Sequence, residues 1–150
     1  MILTLLGSMA FQESEGLVVM EAEHGQRTNG ATHNWLYVSA LTGYTGTSYL
    51  QPSLDNNTLI STDSLTTSPR LDYPLNITRP ATYTIWLRGY APDAAGDSAY
   101  IQLAGTTLTV TNFIDRAWSW ANGGLATIPI EQAGTYTLSL LMREDGLRID

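Results

Sequence analysis

The sequence predicts an all-β fold, a sandwich or barrel of about ten short antiparallel strands. Three observations carry this. Apolar and polar residues alternate over short runs, most regularly in Tyr136–Arg143, where Tyr136, Leu138, Leu140 and Met142 share one parity. Turn residues interrupt these runs at close intervals. No segment keeps 3.6-residue apolar spacing for three turns, so no helix is expected.

The bulk properties set limits on function. A chain of 150 residues suits one domain with its own core. It is 43% hydrophobic and 14% charged, a balance that belongs to globular chains rather than disordered ones. The net charge is −7 and lysine is absent, so there is no basic footprint for nucleic acid, and an anionic membrane would repel the chain. No run approaches the ~18 apolar residues of a membrane span. The absence of cysteine excludes disulfides and thiolate metal sites.

In chain order, residues 1–16 read as an N-terminal strand and connector, and residues 17–150 as the β-sandwich. Met1–Leu6 is a short apolar run, and Met1–Ala10 also resembles the apolar core of a signal peptide, though without a basic start. Leu17–Glu23 reads as a strand with Glu21 and Glu23 on one face. Two carboxylates so placed repel each other, and a bound cation would offset that; a pair of solvated edge residues is the plainer alternative. Gly25–Asn34 is a polar loop, and His24 and His33 match no zinc spacing, so both read as surface histidines. Trp35–Ala40 is a short strand. Gly43 and Gly46 bracket a turn leading into the next strand, and Pro52–Pro69 is the longest irregular stretch.

Arg70–Ile77 alternates cleanly, with Pro74 on the opposite parity implying an edge or a bulge. Tyr83–Tyr90 reads as one strand with Trp86 in the core. Ser98–Leu103 and Thr106–Val110 form a hairpin across Ala104-Gly105. Asn112–Gly124 carries Trp118 and Trp120 on one strand face, and Leu125–Ile130 is a further strand. The pair Asp145-Gly146 predicts a tight hairpin from Tyr136–Arg143 into a short last strand, Leu147–Asp150. That strand is brief, and Met1–Leu6 would continue it in pattern. The segment is therefore expected to contact a neighbouring domain, which makes the chain one repeat or subunit of a larger surface or filamentous assembly.

No catalytic residues are expected. No serine sits in a Gly-x-Ser-x-Gly elbow, and no glycine-rich phosphate loop precedes a helix. Glu21 and Glu23 face one way and do not bracket a bond as the two carboxylates of a glycosidase do. The aromatic residues are the other resource: an exposed ring stacks on the C–H face of a sugar. Trp118, Trp120, Tyr44 and Trp35 are the candidates, with core packing as the competing use of each.

These residues resemble a known group. Leu17-Val18-Val19-Met20-Glu21-Ala22-Glu23 is similar to the opening strand of family 6 and family 35 carbohydrate-binding modules. Gly43-Tyr44-Thr45-Gly46-Thr47-Ser48-Tyr49 resembles their Gly-Tyr turn. Tyr83-Thr84-Ile85-Trp86-Leu87-Arg88 resembles their central strand, and Arg143 to Asp150 their closing stretch. The resemblance implies a galactose-binding-like jelly-roll β-sandwich without catalytic activity. It also implies a structural Ca²⁺ held by Glu21, Glu23 and Asp150, with carbonyls near 43–47 completing the shell. Sugar-binding members often carry Asn where this chain has Arg148, which would pair with an acidic sugar or leave the cleft without function. The expected function is a non-catalytic carbohydrate-binding module, extracellular or at the cell surface. It is a repeat or subunit that self-associates through Met1–Leu6 or, alternatively, an accessory glycan-binding domain of a polysaccharide-degrading enzyme.

Overall fold

The computed structural model describes residues 10–150, and the apolar run at residues 1–6 lies outside them. Among the described residues, thirteen short strands and two 3-10 turns build the chain. A six-stranded sheet runs β1-β5-β12-β8-β9, with β2 also on β5, using β1 (Phe11–Gln12), β2 (Gln26–Thr28), β5 (Arg70–Ile77), β8 (Ala99–Leu103), β9 (Thr106–Val110) and β12 (Gly134–Met142). A five-stranded sheet runs β10-β7-β13-β4-β3, using β3 (Trp35–Val38), β4 (Tyr49–Pro52), β7 (Leu87–Tyr90), β10 (Trp118–Ala121) and β13 (Arg148–Ile149). A separate pair joins β6 (Ala81–Thr84) to β11 (Thr127–Ile130).

The alternating pattern aligns the core. Leu71 pairs with Leu140, Tyr73 with Leu138, and Leu140 in turn with Ile101, so one buried row crosses three strands. Leu50, Ile149 and Trp35 answer it from the other sheet within the same apolar cluster. β8 and β9 form the expected hairpin, with Ala104 and Gly105 both at positive φ (50° and 78°), as a two-residue turn of this kind needs.

Several expectations change. Pro74 lies in a central strand: β5 is flanked by β12 on one side and by β1 and β2 on the other. It is tolerated because β2 pairs with Arg70–Asp72 and β1 with Leu75–Asn76, so Pro74 falls in the gap between them. Residues 17–23 do not form a strand. Past a bridge at Leu17 the chain is extended but unpaired, and Ala22–His24 close into a 3-10 turn. The expected strand over 83–90 divides, β6 pairing with β11 and β7 with β10 and β13, so the chain passes between sheets at Ile85–Trp86.

Asp145-Gly146 is not a hairpin turn: β12 and β13 belong to different sheets, and the segment arches between them. The arch is pinned by burial. The Asp145 carboxylate accepts the Asn56 N–H (2.8 Å) and lies 3.3 Å from His33 Nε2, so His33 is a buried residue and not a surface one. Gly146 meets Gly96 backbone to backbone, and a Cβ on Gly146 would stand 2.8 Å from Gly96 Cα. Gly146→Ala should therefore destabilise the fold by about 1–3 kcal/mol, read as an earlier urea midpoint at unchanged slope.

Candidate functional site

The outer face of the five-stranded sheet carries the functional side chains. Register sets its membership. Trp118 lies opposite Tyr90, Trp120 opposite Arg88, and Arg148 opposite Tyr90 from the other side. Leu87, Gly89 and Ile149 have the other parity and face the core. Tyr90 and Arg88 are thus site residues that the sequence reading left out, although β7 alternates Arg88 and Tyr90 against Leu87 and Gly89.

At the loop end the aromatic rings support one another. Trp118 packs edge-on against Tyr49 (5.4 Å) and Tyr90 (5.7 Å), and Tyr44 tilts onto Tyr49 at 5.5 Å. The Trp118 indole N–H donates to the Thr42 carbonyl at 2.9 Å, and the Arg88 guanidinium lies 5.4 Å from its ring centre. Trp118 and Tyr44 are half-buried, so both brace the turn they face. Gly43 makes this approach possible: it has φ +92°, and a Cβ there would stand 3.0 Å from Trp118 Cδ1.

Trp120 differs. It is 60% exposed, and Trp86, one diagonal step away on β7's chain, is 56% exposed. Trp86 is therefore not the core residue expected. Trp35 is: it is 2% exposed, on the inner face, with its indole N–H donating to the Pro69 carbonyl (3.2 Å). Trp35 has no surface to offer a ligand, which corrects its place among the candidates. Arg148 rests 5.7 Å over the Tyr90 ring, donates to the Gly146 carbonyl (2.8 Å) and reaches to 4.0 Å from Asp55.

The acidic residues meet at the glycine-bracketed turn. The Thr45 N–H donates to both Asp150 carboxylate oxygens (3.0 and 3.1 Å). Its hydroxyl lies 3.0 Å from Glu21 Oε2 and 3.3 Å from Asp150 Oδ2, and its one proton serves one of them at a time. Glu23 Oε1 accepts the Thr47 N–H (2.9 Å) and hydroxyl (3.2 Å). Burial opposes ionisation of Glu23, but these hydrogen bonds and one from its own N–H outweigh it and hold the carboxyl below the usual range. A Cβ on Gly46 would occupy the place of Glu23 Oε1, so glycine is required for the carboxylate to reach the turn. From below, the buried Tyr73 hydroxyl donates to the Ala22 carbonyl (2.8 Å), and burial pushes that phenol far up. It stays neutral and anchors the segment that carries Glu21 and Glu23.

Two features bear on a cation. Glu23 Oε2 is buried and has no hydrogen-bond partner. Among the described residues Arg88, which bonds both Asp150 and the Gly43 carbonyl, is the one cation paired with any of the three carboxylates, which leaves a local deficit of positive charge. Against this, no group of three acidic or histidine side chains among the described residues converges closely enough to hold a metal as it stands. Thr45 bridges Asp150 and Glu21 instead, and Thr47 holds Glu23. The donor set, carboxylate and hydroxyl oxygens from three segments, fits a hard cation in kind.

The family described as "Glycosyl hydrolase family 115 C-terminal domain" matches residues 10–150. Among curated proteins none matches in sequence. A Podospora anserina GH26-CBM35 β-(1,4)-mannanase superposes with a TM-score of 0.63 at 19% identity over 87% of this chain. The chain spans only 25% of that protein's length. A family 35 carbohydrate-binding module from Clostridium thermocellum gives 0.57 at 19% identity, covering 87% of this chain and 90% of the module. The C-terminal family 6 module of LamC from Zobellia galactanivorans gives 0.51 at 19%, covering 87% and 91%. These likenesses show the fold, a carbohydrate-binding-module-like jelly-roll β-sandwich, as the sequence resemblance implied. With a match that runs from Ala10 to Asp150, the chain belongs to the glycosyl hydrolase family 115 C-terminal domain family.

Proposed function

We propose that this domain is a non-catalytic, glycan-binding module that works beside the catalytic domain of a polysaccharide-degrading enzyme, outside the cell or at its surface. The observation that carries the reading is the outer face of the five-stranded sheet. There the open Trp120 indole shares a face with the row Trp118, Tyr90 and Arg148, two residues along β10 from Trp118 and opposite Arg88. An indole with its face in water stacks on a sugar ring, while Arg148 supplies donors for hydroxyl or carboxylate groups. The family match and the mannanase likeness support an accessory role. Affinity electrophoresis against neutral and acidic polysaccharides tests it. Retardation in at least one gel is expected, and mobility unchanged in every gel would remove the reading.

A structural Ca²⁺ belongs to the same proposal. Glu21, Glu23 and Asp150 would hold it, with the unpartnered Glu23 Oε2 as its first new bond. The ion would tie the chain before β2 to β13, supplying stability and no chemistry. Calcium that binds only the folded state should stabilise by ~2.7 kcal/mol at a hundredfold excess over Kd. Calorimetry should therefore show a higher Tm in calcium than in EDTA, and Glu23→Gln should abolish the difference. An equal Tm in both buffers would contradict the site.

A further inference from the structure

We propose that the outer face of the five-stranded sheet prefers neutral glycan to acidic glycan, and that Asp55 sets this preference from beside Arg148. The inference rests on the glycan-binding reading and adds to it the charge of the ligand and a residue that touches it.

The cations of this face are already answered. By register the strands of the sheet turn two of them outward, Arg88 and Arg148. Arg88 has both terminal nitrogens committed, one to the Asp150 carboxylate and one to the Gly43 carbonyl (2.7 Å). Arg148 donates from Nη1 to the Gly146 carbonyl (2.8 Å), and its guanidinium rests over the Tyr90 ring. Its other terminal nitrogen, Nη2, stands 4.0 Å from Asp55 Oδ2. An arginine binds a sugar carboxylate best through a free pair of N–H donors. Here a carboxylate that reached Arg148 would also meet Asp55.

Asp55 is held in that place by its loop. The Ser53 N–H donates to the Asn34 carbonyl, the Asn56 N–H to the buried Asp145 carboxylate and the Ile60 N–H to the Arg143 carbonyl, each at 2.8 Å. Arg143 and Asp145 lie on the arch that leads to Arg148, so one arch positions both partners. The Asp55 side chain is nevertheless 51% exposed, which leaves its carboxylate open to a ligand.

The spacing selects the ligand chemistry. At 4.0 Å the two charges attract each other without a direct hydrogen bond. A hydroxyl oxygen about 2.8 Å from each atom fits between them, accepting from Arg148 Nη2 and donating to Asp55 Oδ2. Every neutral sugar carries such hydroxyls. An ionised uronic acid accepts from Arg148 but has no proton for Asp55, and its charge is set against the Asp55 carboxylate.

Affinity electrophoresis of the full chain tests this with polygalacturonate, alginate and glucuronoxylan in EDTA. Each is used native and carboxyl-reduced, so that the members of a pair differ only in the carboxylate. The wild type should bind a reduced member about fivefold more tightly than its native form at low salt, and added salt should narrow the gap. Asp55→Asn should bind the native member about fivefold more tightly than the wild type does, and salt should now weaken that binding. Glu131→Gln, which removes one exposed charge between β11 and β12, should keep the wild-type preference. A wild type that binds a native member as tightly as its reduced form, or tighter, would overturn the inference and leave the glycan reading in place. A preference unchanged in Asp55→Asn, or lost equally in Glu131→Gln, would overturn it in the same way. Retardation in none of the gels would remove the glycan reading and this inference with it.

Discussion

Replacing Arg88 with Ala is expected to lower stability by about 3–5 kcal/mol, the penalty for leaving a buried charge unpaired. The Asp150 side chain is fully buried and bonded to Arg88, which is itself only 18% exposed. Without Arg88, Thr45 alone is left to answer that carboxylate, and the Gly43 carbonyl loses its donor. In a domain of this size the loss corresponds to a fall in Tm of roughly 10 °C. Removing the charge as well, in Arg88→Ala with Asp150→Asn, should restore part of it, because the penalty lies in the orphaned carboxylate rather than in the lost attraction. Calcium should also reduce the loss if it binds the same carboxylate. Thermal denaturation of the two variants in calcium and in EDTA reads all three effects. A fall in Tm below 2 °C for Arg88→Ala would mean that water reaches Asp150.

The second large effect concerns binding. Trp120→Ala should weaken glycan affinity at least tenfold, ~1.4 kcal/mol or more, because a few aromatic anchors carry most of the energy of such contacts. Its Tm should hardly move, since the Trp120 ring faces water. Trp118→Ala is the internal comparison. Its ring braces Tyr49 and Tyr90 and is tied to the Thr42 carbonyl, so its loss should lower Tm as well as affinity. Calorimetric titration and thermal denaturation of both variants separate a platform from a brace. Equal losses of stability would show that Trp120 is packed in solution.

The strands with the cleanest alternation were legible in the sequence. The sequence predicts β5 to the residue and β12 nearly so, since their apolar parity is buried against the opposite sheet, in β5 along the whole length and in β12 from Leu138 onward. The turn at Ala104-Gly105 was legible for the same local reason. Alternation says which residues share a face and not which face is covered. Trp35 and Trp86 therefore exchange roles: each sits in an apolar stretch, and only the neighbouring strands decide that Trp35 is enclosed and Trp86 is not. The arch at Asp145-Gly146 carries a hairpin signature, but His33 and Asn56, more than eighty residues upstream, hold Asp145 in place. At the site, the resemblance brought Glu21, Glu23 and Asp150 forward, and the structure gathers all three around Thr45 and Thr47. Arg88 and Tyr90 escaped notice because strand register, which no local pattern encodes, sets them beside Trp118.

The central claim is that the open face around Trp120 binds glycan. Tryptophan emission, titrated with the polysaccharide that retards the protein most, tests it directly. The account predicts a saturable blue shift in the wild type and its loss in Trp120→Ala, with Trp86→Phe still responding. A saturable shift that survived unchanged in Trp120→Ala would place the sugar elsewhere and contradict the account.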